Sequence, residues 1–316
     1  MAVRRAEFYF ATRGLLVRSE LLNTQLEFCR DNFRIEILFP GERNHWSRGM
    51  PGPLLHVIYK NAMKSFAIES VKVMVYGEGP RGEDTEGSID HLRKSFKIAE
   101  AAVAELIEWA RICGQPWLGP YGQPVLRVGD YLLGDESVDV ADYSFHDALP
   151  ETEERVPDYE IEASLDATST SALLGHLAGS SKPLPMPETL LADALYFIGL
   201  NPPDYQRAVL IAAIACEVKV RDTLRRKVSA DRLPLIELIL ENPRDWSVAA
   251  LALFDKAMAA AIGRSLKAHD NQMYKDVGRL FEVRNRIAHR GEQPEQSEAR
   301  RVVLAAKQVF RWRDAS

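Results

Sequence analysis

The chain has 316 residues, of which 46% are hydrophobic and 27% charged, with a formal net charge of −5. The length suits about two domains of roughly 100–200 residues each, and the composition is that of an ordinary globular protein. No apolar run approaches the roughly 20 residues of a membrane-crossing helix, and the basic start MAVRRAEFYFATRG is followed by no apolar h-region, so neither a span nor a signal peptide is expected.

In chain order, residues 6–17, 33–39, 54–59 and 67–79 are rich in β-branched and aromatic residues between Gly, Pro and Asn, and predict strands. A loop over 40–53, carrying His45 and Trp46, separates the second from the third. An amphipathic helix is predicted from Ile89 to Ile112, with Ser88 as N-cap and Gly114 after its end. Residues 124–136 read as a further strand or hairpin. The Gly-rich stretch at 77–83 lacks the Lys-Ser/Thr of a P-loop and reads as a turn. Residues 135–183 are acidic and weakly periodic, predicting a linker, and the Pro-rich stretch 180–188 places the domain boundary near 180.

After 185 every pattern is helical, with segments expected at 187–200, 205–228, 233–241, 247–268, 272–289 and 294–313. The second is apolar nearly all round, as in the middle of a bundle. The expected fold is therefore an α+β N-terminal domain (1–180) followed by an all-α bundle (184–316) of five or six helices. Residues 184–316 hold 21 basic and 17 acidic residues, against 19 and 28 in residues 1–183. This asymmetry hints at an anionic partner for the bundle. The three cysteines lack CxxC spacing and no histidines form an HxH or HxxxH pair, so neither a disulfide framework nor a metal site is expected, and a reducing cytoplasm fits.

The stretch VRNRIAHRGE (283–292) sets Arg284, Arg286, His289 and Arg290 close together, then stops at a glycine. Met273, Val277, Leu280, Ile287 and Ala288 keep helical spacing toward a core, and Arg284 falls on that stripe, where it needs an anionic or carbonyl partner. Glu282 and Arg286 are i,i+4 neighbours and are expected to pair on the solvent side. Arg284 and His289 are about 140° apart around an ideal helix. They could converge if His289 sat on an unwinding turn before the Gly291 cap, or across a two-fold axis if a second copy supplied part of the site. Glu217, in the most apolar helix, has two readings: a structural pair with Arg221, or a residue orienting Arg284 or His289.

Residues 284–289, RNRIAH, in a late helix resemble the Arg-x4-6-His motif of the HEPN superfamily (higher eukaryotes and prokaryotes nucleotide-binding), and the opening helices of the bundle resemble that family's bacterial members over about 185–316. The resemblance implies a HEPN-like bundle and a metal-independent endoribonuclease that acts as a homodimer on RNA, with no cofactor. Arg284 would bind the scissile phosphate, His289 would be the general acid or base, and Asn285 would orient the arginine or the phosphate. The nucleophile would be the RNA 2′-hydroxyl, and Arg286 and Arg290 would line an RNA path. The layout also resembles toxin or antiphage defence effectors, whose N-terminal domain senses a trigger or restrains the nuclease. The competing expectation is a non-catalytic module that dimerises or binds nucleotide or RNA.

Overall fold

Two 17-residue strands, β1 (Ala2–Arg18) and β5 (Met63–Gly79), run through the centre of the N-terminal sheet. They pair antiparallel from Ala2↔Gly79 to Arg18↔Ser65. Their side chains alternate, so Ala6, Phe8 and Phe10 of β1 and Val71, Val73 and Val75 of β5 are buried. The register shifts between Ala11 and Leu15. Gly14 adopts φ +75° there, a conformation open to glycine without a Cβ clash. The computed structural model describes residues 2–41, 55–60, 63–79, 85–120, 131–135, 138–143, 167–178, 184–241 and 249–314. They belong to two units, Met1–Leu184 and Pro185–Ser316.

Five shorter strands complete the sheet: β2 (Gln25–Arg30), β3 (Phe33–Leu38), β4 (Leu55–Lys60), β6 (Tyr131–Asp135) and β7 (Val138–Tyr143). The order is β2-β3-β5-β1-β6-β7, with β4 also on β5, and every pairing is antiparallel. β5 gives one edge to β1 and divides the other between β3, along 72–76, and β4, along 63–68. β2, absent from the sequence reading, forms a hairpin with β3 through Asp31 and Asn32, both at positive φ, the conformation of a two-residue hairpin turn. Gln115 acts as a further strand partner for β1. Its Oε1 accepts from Leu16 N–H at 2.8 Å and its Nε2 donates to Leu16 O at 2.9 Å.

Helix α1 (Thr85–Ile112) lies on this sheet, burying Ala99, Ala102, Val103, Leu106 and Ala110, with Phe96 against Phe8 and Phe10 at 5.6 and 5.9 Å. It starts before Ser88, so Ser88 is a helical residue and not the expected cap. Helix α2 (Ala167–Ala178) and strand β7 lie within the stretch expected to be linker, which corrects that reading for 138–143 and 167–178. α2 opens on a Thr/Ser run that favours turns over helix, but Leu173 and Leu177, one turn apart, are fully buried. Arg30 of β2 bonds both carboxylate oxygens of Glu105 and the carbonyl of Leu177, which ties α1, α2 and the sheet edge together. Of the turn expected at 77–83, Gly77–Gly79 lie in β5; its remainder at 80–83, the part of the expected loop at 42–53 with His45 and Trp46, and the acidic stretch 144–162 lie outside the described residues.

The C-terminal unit comprises α3 (Met186–Gly199), α4 (Tyr205–Lys227), α5 (Leu233–Glu241), α6 (Ala249–Ala252), a π turn (Leu253–Ala257), α7 (Met258–Ile262), α8 (Leu266–His269), α9 (Asn271–Arg290) and α10 (Gln296–Asp314). That is eight helices among the described residues, not five or six. The expected helix over 247–268 is broken: Gly263 ends α7 at φ +69°, and Ser265 caps α8 by accepting from Ala268 N–H at 3.2 Å. α4 buries Ala208, Val209, Ala212, Ala213, Ala215 and Cys216, small residues that let α3 and α10 approach closely. It is not buried all round as its composition suggested, because Ile214 is exposed. Burial pushes the Cys216 thiol up to about 12, so this cysteine is unreactive.

His91 of α1 is buried against Phe33, with ring centroids 6.0 Å apart. Burial, reinforced by Arg4, holds its imidazole below the usual histidine range. The unfolded chain therefore binds the proton more tightly than the folded one, and stability falls as pH drops below about 6.5. Urea unfolding of the wild type followed on the N-terminal unit should show this loss between about pH 7 and pH 5, and His91→Gln should flatten the slope. Equal slopes would mean that His91 is not the group responsible.

Candidate functional site

Helix α9 is sharply bounded. Asp270 caps its start, accepting from Gln272 N–H and Met273 N–H at 2.9 Å each. Gly291 ends it in the left-handed conformation at φ 64°, with its N–H on Ile287 O at 2.9 Å. Between these caps Val277, Leu280, Val283 and Ile287 are buried. Gly278 has no room for a side chain larger than hydrogen unless Leu251 yields, since a Cβ would meet Leu251 Cδ2 at 3.1 Å. Lys219 of α4, itself buried, pairs with Glu188 of α3 and lies 5.0 Å from the Phe310 ring of α10, holding three helices of the unit together.

The residues of the RNRIAH motif fall in different environments. Arg284 is half-buried at the edge of the stripe, and Val283 takes the core position beside it. Ala288 is exposed, not in the core as its spacing suggested, because packing does not reach the last turn on that side. Arg284 Nη1 donates to Asn285 Oδ1 at 2.9 Å. The partner is a neutral carbonyl oxygen, so the arginine keeps its charge. His289 and Arg290 are exposed in the last turn. α9 stays regular through Arg290, so His289 is not on an unwinding turn. Within one chain Arg284 and His289 point about 140° apart.

Arg286 does not pair with Glu282. It donates to Glu292 at 2.7 Å and to Glu298 of α10 at 2.6 Å. Glu282 instead pairs with Arg279 at 2.9 Å, and Arg279 also bonds Glu298. Burial is the largest single influence on the Glu298 carboxyl and pushes it up, but hydrogen bonds from Arg286 and Arg279 and their charges together hold it below the usual carboxylate range. Arg286 is thus neutralised. Among the described residues, Arg284, His289 and Arg290 pair with no carboxylate.

Glu217 pairs with Arg221 at 2.8 Å, and Arg221 also donates to Leu240 O at 2.9 Å, binding α4 to α5. This is the structural one of its two readings, and it brings Glu217 to neither Arg284 nor His289. The sequence reading missed Gln206, in the first turn of α4, whose Nε2 donates to Gly291 O at 3.3 Å and to Glu292 O at 3.2 Å. Nothing in the local pattern marks Gln206, because its acceptors lie some 85 residues later. Among the described residues no group of three or more His, Cys, Asp or Glu is placed to hold a metal, and no helix is long and apolar enough to cross a membrane. No protein-family model, curated protein or solved structure matches the chain.

Glu298→Gln removes the charge that both arginines share, and should lower the stability of the C-terminal unit by about 1 kcal/mol in urea unfolding, less in concentrated salt. Because the native carboxyl titrates below its unfolded value, its contribution is present above about pH 4.3 and is lost as pH falls through the native value. A variant as stable as the wild type at neutral pH would show that the shared carboxylate adds nothing.

Proposed function

We propose that the protein is a metal-independent endoribonuclease effector, of the kind found in toxin or antiphage defence systems, whose HEPN-like C-terminal unit cuts RNA in the cytoplasm. The observation that supports this best is the charge distribution at the end of α9. Arg286 is consumed by Glu292 and Glu298, while Arg284, His289 and Arg290 pair with no carboxylate among the described residues. In the proposed reaction Arg284 binds the scissile phosphate and stabilises the charge that develops on it. Asn285 orients that guanidinium through the bond already in place. His289 takes the proton from the 2′-hydroxyl or returns one to the leaving oxygen, and Arg290 guides the RNA backbone. The N-terminal unit serves as sensor or restraint.

Arg284 and His289 diverge on one regular helix, so the catalytic reading requires a second copy whose α9 completes the site. The same divergence favours the alternative, a module that dimerises or binds nucleotide or RNA without cutting it.

Wild type, Arg284→Ala and His289→Ala, incubated with total RNA in EDTA, separate the two. The proposal expects cleavage by the wild type and a loss of roughly a hundredfold or more in each variant. Expression of the wild type should arrest growth, and His289→Ala should relieve it. Cleavage that persists in both variants, or RNA left intact both in vitro and in expressing cells, overturns the proposal.

A further inference from the structure

We infer that Gln206, together with the Arg286–Glu292 and Arg286–Glu298 ion pairs, forms a positioning clamp that fixes the α9 turn carrying His289; the inference rests on the ribonuclease reading of that turn. The end of a helix is its weakest part. Its last four carbonyls lack donors within the helix, and terminal turns open at little cost in free energy. An exposed histidine on such a turn is a poor place for proton transfer, which depends on geometry held to a fraction of an ångström.

Three constraints meet at this helix end. Gly291 in the left-handed conformation returns its N–H to Ile287 O. Gln206 reaches from α4 and donates one amide group to the carbonyls of both Gly291 and Glu292. Arg286, one turn before the end, reaches forward to Glu292 and across to Glu298 of α10. Residues 291–292, directly after His289 and Arg290, are therefore held by α4 through their backbone and by α9 through the Glu292 side chain. Gln206, Glu292 and Glu298 touch no reacting atom in this arrangement and act through the turn. The clamp also assigns roles to the two arginines: Arg286 is spent on structure, and Arg284 is the one left for phosphate.

The donor of Gln206 is the part to remove. Gln206→Met keeps the side-chain length without the donor, and Gln206→Lys restores a donor. Both are compared with the wild type as full-length protein, by amide exchange at 288–291 without RNA and by steady-state RNA cleavage. Exchange in the middle of α4 reports folding, and Gln206→Ala replaces the Met variant should that one not fold. In Gln206→Met the Gly291 amide should exchange about fivefold to thirtyfold faster. Its kcat should fall roughly tenfold or more, with KM little changed. Gln206→Lys should recover both. Unchanged exchange in Gln206→Met, no recovery in Gln206→Lys, or faster exchange with an unchanged kcat each overturns the clamp as a positioning device. A wild type that leaves RNA intact, while Gln206→Met still speeds exchange, overturns the ribonuclease reading and the catalytic purpose of the clamp but not its hold on the turn.

Discussion

Arg286 faces two carboxylates at once, Glu292 just beyond its own helix and Glu298 on the next. A guanidinium is a rigid fork with donors in fixed directions, so meeting both acids fixes the path of the chain between α9 and α10 as well as balancing charge. Arg279 joins the same carboxylate of Glu298, so the two helices are linked by two arginines on α9 and one acid on α10. That link, the αL conformation of Gly291 and the Gln206 amide, together with buried Ile287, hold the last turn of α9 in place.

This arrangement separates charge that stabilises from charge that is available. In a cluster of three arginines and a histidine, the bland expectation is a solvated helix end that favours the macrodipole. The structure divides the cluster instead. Arg286 lies among acids, Arg284 is braced by a neutral amide, and His289 and Arg290 are open. A half-buried arginine steadied by an amide, with no acid paired to it among the described residues, suits recognition of a phosphate from outside. The rest of the bundle supports the helix that carries it: the buried stripe from Val277 to Ile287, and the Lys219–Glu188 pair stacked on Phe310, are ordinary means of holding a helix in place.

The long periodic elements were legible in the sequence. α3, α4, α5, α9 and α10 follow the 3.6-residue rhythm, and their observed limits differ from the expected ones by a few residues at most. In the N-terminal unit, runs of β-branched and aromatic residues between turn formers marked β1, β3, β4 and β5. β2 escaped because QLEFCR is short and half polar, although the Asp31-Asn32 pair after it is a hairpin signal. α2 escaped because ATSTSALLGHLA opens on a Thr/Ser run, carries a glycine, and lies inside an acidic, weakly periodic stretch. The break at Gly263 was also readable: a glycine followed two residues later by a serine is a C-cap and then an N-cap.

The partners of the motif were a different matter. An i,i+4 rule pairs Arg286 with Glu282, but the chain turns back at Gly291 and brings Glu292 and Glu298 closer. Gln206 comes from the other end of the unit. Such contacts depend on tertiary placement, and one sequence does not carry them. The chemistry assigned to Arg284 and His289 makes one further demand: the nucleophile is the 2′-hydroxyl of the RNA. The most direct measurement is therefore the chemical identity of the ends left by the wild-type protein on a labelled RNA in EDTA. The account predicts 2′,3′-cyclic phosphate and 5′-hydroxyl ends, and no cut at a position where the 2′-hydroxyl is replaced by hydrogen. Ends bearing 3′-hydroxyl and 5′-phosphate, or cutting at the deoxy position, would contradict it.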